Sequence, residues 1–184
     1  MICGICNEIC SYENLYSQRL GADPINKHYW CFNYAQARNM ITKSKYHKET
    51  AHYRHVMKYF KKQLLALSKQ EQIELIVPVP TQRTHISNRG YDHSLLMAQC
   101  ISKITGIPYI QDVLLPGRDF QQVSAIRNER LKAPFYITTK EVMAKSILLI
   151  DDVASTFASM NACAYAIKQN TDAKITAFTL AKQH

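Results

Sequence analysis

Apolar residues recur along this chain in two periods. Tyr53, Val56, Met57, Phe60, Leu64 and Leu67 fall at helical spacing and predict one helix over 51–68, after a shorter helical pattern over 36–45. Leu95, Leu96, Met97, Cys100, Ile101 and Ile104 predict another helix, closed by Gly106, and a further helix covers 158–169. Between them lie short apolar runs: an aromatic run over 29–35, then 73–79 leading into Pro80, then 108–110, 113–115, 135–138, 146–150 and 174–181. Residues 147–150 are apolar at every position, as in a strand buried on both faces. Strand and helix alternate, so the pattern predicts an α/β fold with a mostly parallel sheet and helices on both faces.

Composition adds bounds to this picture. The 184 residues suffice for one α/β domain, taken as 29–184, behind a short cysteine-containing segment over 1–28. No run approaches eighteen apolar residues and no basic-then-apolar leader opens the chain, so the expectation is a cytoplasmic protein with no membrane span. Lys and Arg outnumber Asp and Glu by 23 to 14, a formal charge of +9, which attracts polyanions without saying which. Arg54, Lys58, Lys61 and Lys62 share the polar side of the predicted 51–68 helix. They form either a solvated face or a nucleic-acid contact surface.

Six cysteines in such a chain read as thiols or metal ligands rather than disulfides. Cys3 and Cys6 have the spacing of half a zinc knuckle, and Cys10, His28 and Cys31 could complete four ligands. Cys31 also lies in the aromatic strand, where it would be core; Cys100 and Cys163 fall on apolar helical faces.

The chemistry concentrates at Ile147-Leu-Leu-Ile150-Asp151-Asp152-Val-Ala154-Ser155-Thr156-Phe157-Ala158-Ser159. A buried strand ends in two carboxylates and then a loop of small and hydroxyl residues opens a helix. In a parallel sheet, ligands bind beyond the carboxyl ends of the strands, where helix N-termini favour phosphate. Ser155, Thr156 and Ser159 add hydroxyl donors. Asp151 and Asp152 would accept from vicinal sugar hydroxyls or face magnesium through water. Residues 154–159 thus suit a 5-phosphate and the aspartates a ribose. A second donor-rich loop, stiffened by Pro78 and Pro80 and carrying Thr81, Arg83 and Arg89, would cradle a pyrophosphate beside it. The polar stretch over 116–132 is long for a connection and reads as a lid or binding loop carrying Arg127.

The 147–159 string resembles the phosphoribosyl pyrophosphate motif of type I phosphoribosyltransferases, four apolar residues, Asp-Asp, then a Thr-Thr-Gly-x-Thr loop. Phe157 stands where that family has glycine. It either turns outward and leaves the amide available or fills part of the phosphate pocket. Further segments resemble the ComF family of competence proteins: Val77-Pro-Val-Pro80, Arg83, Arg89-Gly-Tyr-Asp92, the Asn39 to Tyr46 segment with Lys45, the Arg118 to Phe135 positions, and Phe178-Thr-Leu-Ala-Lys182.

The resemblance implies a phosphoribosyltransferase-like fold that binds phosphoribosyl pyrophosphate or a related phosphosugar with magnesium. It also implies a role in single-stranded DNA uptake during natural transformation, with competence helicase or uptake proteins as partners. ComF proteins usually carry two Cys-x-x-Cys pairs ahead of the domain, whereas this chain has one. The enzymatic alternative is an active phosphoribosyltransferase in nucleotide metabolism or salvage, with Asp151 and Asp152 at the ribosyl cation and Arg83 and Arg89 on the departing pyrophosphate. A third reading keeps the site as a sensor without turnover.

Overall fold

The computed structural model describes residues 15–19, 24–47, 50–81, 86–87, 90–116, 136–138 and 141–183. Its centre is a five-stranded sheet in the order β1-β2-β7-β6-β3, formed by β1 (Tyr16–Arg19), β2 (Lys27–Asn33), β7 (Lys174–Lys182), β6 (Ser146–Ala154) and β3 (Leu75–Pro78). β1 runs antiparallel to β2, and the other neighbours are parallel. The architecture is α/β, as the alternation of periods predicts. β1 was not anticipated, and it joins residues assigned to the N-terminal segment to the edge of the main sheet.

The unbroken apolar run of β6 has a simple cause. Successive side chains point to opposite faces. Leu148 and Ile150 therefore pack toward α1 (Tyr34–His47), α2 (Ala51–Tyr59), α3 (Lys61–Gln70) and α4 (His93–Thr105). Ile147 and Leu149 pack toward α5 (Ala158–Lys168). With a helical layer on each side, neither parity can be polar. Cys163 lies within the α5-side core and Cys31 within the other, whereas Cys100 is only partly buried.

Two sequence expectations need correction. The helix expected over 51–68 is two helices, because Phe60 takes ψ 17° at the junction of α2 and α3. Phe60 is fully buried, with its ring edge-on to Phe32 at 5.6 Å, and Leu64 N still donates to Phe60 O at 2.9 Å. The axis bends while the apolar stripe continues. The short apolar run over 108–110 makes a single bridge, Tyr109 to Ile76, against the open edge of β3. β6 does not stop at Ile150 but carries both aspartates inside it to Ala154.

β4 (Leu114–Pro116) and β5 (Tyr136–Thr138) form a separate antiparallel pair beside α5. Their pairing flanks residues 117–135, which lie outside the described residues. α4 ends where Gly106 turns left-handed at φ 77° and donates to Ser102 O at 2.8 Å, the closure expected of glycine there.

At the amino ends of the strands, Glu71 knits the sheet to α3. It accepts from Lys174 Nζ at 2.8 Å, from Lys27 Nζ at 3.2 Å and from Tyr29 OH, while Ser146 Oγ donates to Glu71 O at 2.9 Å. Burial alone would raise the Glu71 pKa, but the hydrogen bonds from Lys174, Tyr29 and Lys27 outweigh it and bring it to about 2.

Candidate functional site

Parallel pairing brings the carboxyl ends of β3, β6 and β7 to the same side of the sheet. Pro78 pairs with Ile150, Val79 N donates to Ile150 O at 2.8 Å, Asp151 pairs with Thr179 and Ala154 with Lys182. The Pro80–Thr81 loop start therefore lies beside the Asp151-Asp152 pair, an arrangement the two sequence segments required. Both aspartates are half-buried, as are Pro80 and Thr81.

Asp151 is held in place. Its Oδ1 accepts from Ser94 Oγ at 3.2 Å and from Asp152 N at 2.8 Å. Ser94 is almost wholly buried in the first turn of α4, where an unbonded hydroxyl would be costly. The same turn holds the neighbouring loop: Asp92 caps α4 by accepting from Leu95 N at 3.0 Å through Oδ1, and accepts from Thr81 N at 3.2 Å through Oδ2. The Thr81 amide is thus already engaged. Tyr91 OH donates to Ser44 O, which brings the end of α1, next to Lys45, against this loop. One helix start therefore orients both a carboxylate of β6 and the loop after β3.

On the other side of the pair, β6 leads through Ser155 and Thr156, both exposed, into Phe157 and then Ala158 and Ser159 in the first turn of α5. Thr156 Oγ1 accepts from Ala158 N at 3.4 Å, and Phe157 at the N-cap position makes no side-chain bond to the helix. Its first turn and positive dipole end thus adjoin the strand carboxylates.

Phe157 does what glycine would do. It is left-handed, at φ 60° and ψ 2°, which costs an L-residue roughly 1–2 kcal/mol. Its ring is half-buried against the α5-side core. It packs inward, edge-on to His28 with centroids 4.7 Å apart. Such a pair contributes about 0.5–1.5 kcal/mol beyond its area burial, comparable with the strain.

His28 is fully buried, stacked on Trp30 at 5.0 Å, and shares a hydrogen bond of 2.8 Å between Nε2 and Thr179 Oγ1. Its Nδ1 is buried with no partner among the described residues. Burial, and then the charge of Lys182, lower its pKa to about 3, so the ring is neutral. Lys182 Nζ stands 4.6 Å from the Trp30 ring centre.

His28 and Cys31 cannot form the metal pair their spacing suggested. Three residues apart on a strand, they face opposite sides of the sheet: His28 packs on Phe157 and Cys31 lies in the core under α1 and α2. Burial pushes the Cys31 thiol well up, against the thiolate zinc needs. Cys3, Cys6 and Cys10 lie outside the described residues, as do Arg83, Arg89 and Arg127. Among the described residues no three His, Cys, Asp or Glu side chains group to hold a metal ion. Asp151 and Asp152 alone are a hard-oxygen pair of the kind that meets magnesium together with substrate oxygens and water, not a complete protein cage.

Arg54, Lys58, Lys61 and Lys62 are all exposed, but Phe60 divides them between two helices. Sequence reasoning missed Ser94 and the supporting part of His28. Asp92 was legible as a cap, since it precedes Leu95 by three.

No protein-family model matches the chain, and no curated protein does. Among solved structures it is similar to an adenine phosphoribosyltransferase at 14% identity, covering 76% of this chain and 74% of that one, with a TM-score of 0.49. It is also similar to a purine phosphoribosyltransferase from Pyrococcus horikoshii Ot3 at 12% identity, over 68% and 82% of the two chains, with a TM-score of 0.43. A third is the adenine phosphoribosyl transferase of Trypanosoma brucei in complex with AMP, pyrophosphate and ribose-5-phosphate, at 12% identity over 92% and 75%, with a TM-score of 0.45.

Proposed function

We propose that the chain binds a phosphosugar, phosphoribosyl pyrophosphate or a close relative, at the carboxyl end of β6. One observation carries this reading: two carboxylates within the strand end lie between the loop after β3 and the first turn of α5, whose N-cap residue Phe157 offers no side-chain cap. The aspartates face the ribose hydroxyls and residues 154–159 the 5-phosphate, with the Pro80–Thr81 loop, Arg83 and Arg89 toward the pyrophosphate and Lys45 and Arg127 as further anion contacts. Asp151 and Asp152 would meet magnesium brought in with the ligand, which would neutralise phosphate charge. A thermal melt tests it: phosphoribosyl pyrophosphate with magnesium raises Tm in a concentration-dependent way, and an unchanged Tm up to millimolar ligand contradicts it.

The finer reading is a ComF-like cytoplasmic protein that assists uptake of single-stranded DNA. It is supported by the sequence resemblance, the charge of +9 and the exposed Arg54, Lys58, Lys61 and Lys62. No described helix is long and apolar enough to cross a membrane. Loss of oligonucleotide binding in Lys58→Glu with Lys62→Glu, with phosphosugar binding kept, is the outcome it expects. A zinc knuckle built on Cys3, Cys6 and Cys10 is tested by metal analysis of the natural chain against Cys3→Ser.

Transfer chemistry is the second reading, favoured by the glycine-like φ of Phe157, which keeps the loop shape that turnover needs. It would use Asp151 and Asp152 to stabilise a ribosyl cation by charge and position. Pyrophosphate release on addition of a purine or pyrimidine base distinguishes it from binding alone.

A further inference from the structure

Three non-glycine residues have positive φ among the described residues: Gln72, Asp112 and Phe157. Gln72 and Asp112 are exposed polar turn residues, the sort that tolerate this conformation at little consequence. Phe157 is different, being aromatic, half-buried and placed between the strand carboxylates and α5. A bulky residue stays left-handed only where its surroundings over-determine it. The Phe157 side chain packs against the α5-side core and meets a buried ring there: His28, fixed through Nε2 to Thr179 and by stacking on Trp30, stands edge-on to it at 4.7 Å.

We infer that His28 is a positioning residue for the anion loop, latching the Phe157 ring so that residues 155–158 keep the backbone shape glycine would otherwise provide. The inference rests on the phosphosugar reading and adds to it the residue that replaces glycine's freedom. A left-handed residue in a loop helps turn consecutive backbone N–H groups toward one point, the geometry of an anion nest. β2 contributes the His28 ring and the Trp30 ring on which it stacks. Two β7 residues and the one that follows them brace the arrangement: Thr179 holds the imidazole, Lys182 covers the Trp30 ring, and Gln183 N donates to Ala154 O at 2.8 Å.

The test is a double-mutant cycle on His28→Ala and Phe157→Gly, reading ribose 5-phosphate affinity and Tm for each folded variant. His28→Leu replaces His28→Ala if the latter does not fold. In the natural loop, loss of the His28 ring weakens ribose 5-phosphate binding about fivefold or more; in the Phe157→Gly background the same change alters it less than about twofold. His28→Phe, which keeps a ring but not the bond to Thr179, retains affinity close to the natural chain. Equal losses in both backgrounds, or none in either while the natural chain binds, overturn the latch. Failure of the natural chain to bind ribose 5-phosphate removes the phosphosugar reading and the latch with it, whatever the Tm cycle shows.

Discussion

Ser94 Oγ donates to Asp151 Oδ1 at 3.2 Å across 57 residues of sequence, fixing a strand carboxylate from the first turn of α4. Asp92, two residues earlier, caps that turn and grips Thr81 N. The loop after β3 and the carboxylate of β6 thus share one support. Ser94→Ala is expected to weaken phosphosugar binding about tenfold, the ~1.4 kcal/mol scale of a hydrogen bond to a charged acceptor. Ser94→Thr restores most of it. Calorimetric affinities of the two variants check this, with urea melts to confirm folding.

The buried neutral His28 gives stability a pH dependence. Its native pKa of about 3 lies below its ordinary 6.5, so between these values the unfolded chain binds a proton that the native chain does not. The stabilisation is complete above pH 6.5 and is lost as pH falls toward 3. At about pH 5 the natural chain loses roughly 2 kcal/mol relative to about pH 7.5, and His28→Phe loses much less. Chemical denaturation at the two pH values decides it.

Glu71 acts lower on the pH scale. Its pKa of about 2, against an ordinary 4.5, means its contribution is complete above pH 4.5 and fades as pH falls to 2. Glu71→Gln is expected to destabilise by about 2–3 kcal/mol near neutrality, since Lys27 and Lys174 lose a charged acceptor. The difference from the natural chain narrows steadily below pH 4.5. Denaturation midpoints across the acid range measure it.

Gly106 isolates a backbone effect. A β-carbon there would meet nothing within 4 Å, so Gly106→Ala is opposed only by the φ of 77°. A loss of about 1 kcal/mol is expected, as a lower urea midpoint with an unchanged slope.

The sheet and its carboxylates were legible because residues 147–150, apolar on both parities, admit only a strand covered on both faces, and its carboxyl end places Asp151 and Asp152. The Phe60 break was not legible, since a ψ of 17° bends the axis without moving any residue off the apolar stripe. His28 with Cys31 looked like a metal pair because spacing in sequence ignores the strand's alternation. Ser94 carried no local signal at all, as its role exists only once α4 docks on β6. For Phe157, sequence pointed to the position but not to the ring's contact with His28, more than a hundred residues away in the chain.

Calorimetric titration of phosphoribosyl pyrophosphate with magnesium into the natural chain, and into Asp151→Asn with Asp152→Asn, addresses the central claim most directly. Saturable binding by the natural chain that is lost or reduced at least about tenfold in the double variant is the predicted result. No binding heat from the natural chain, or equal affinity in the two proteins, would contradict a phosphosugar site at the end of β6.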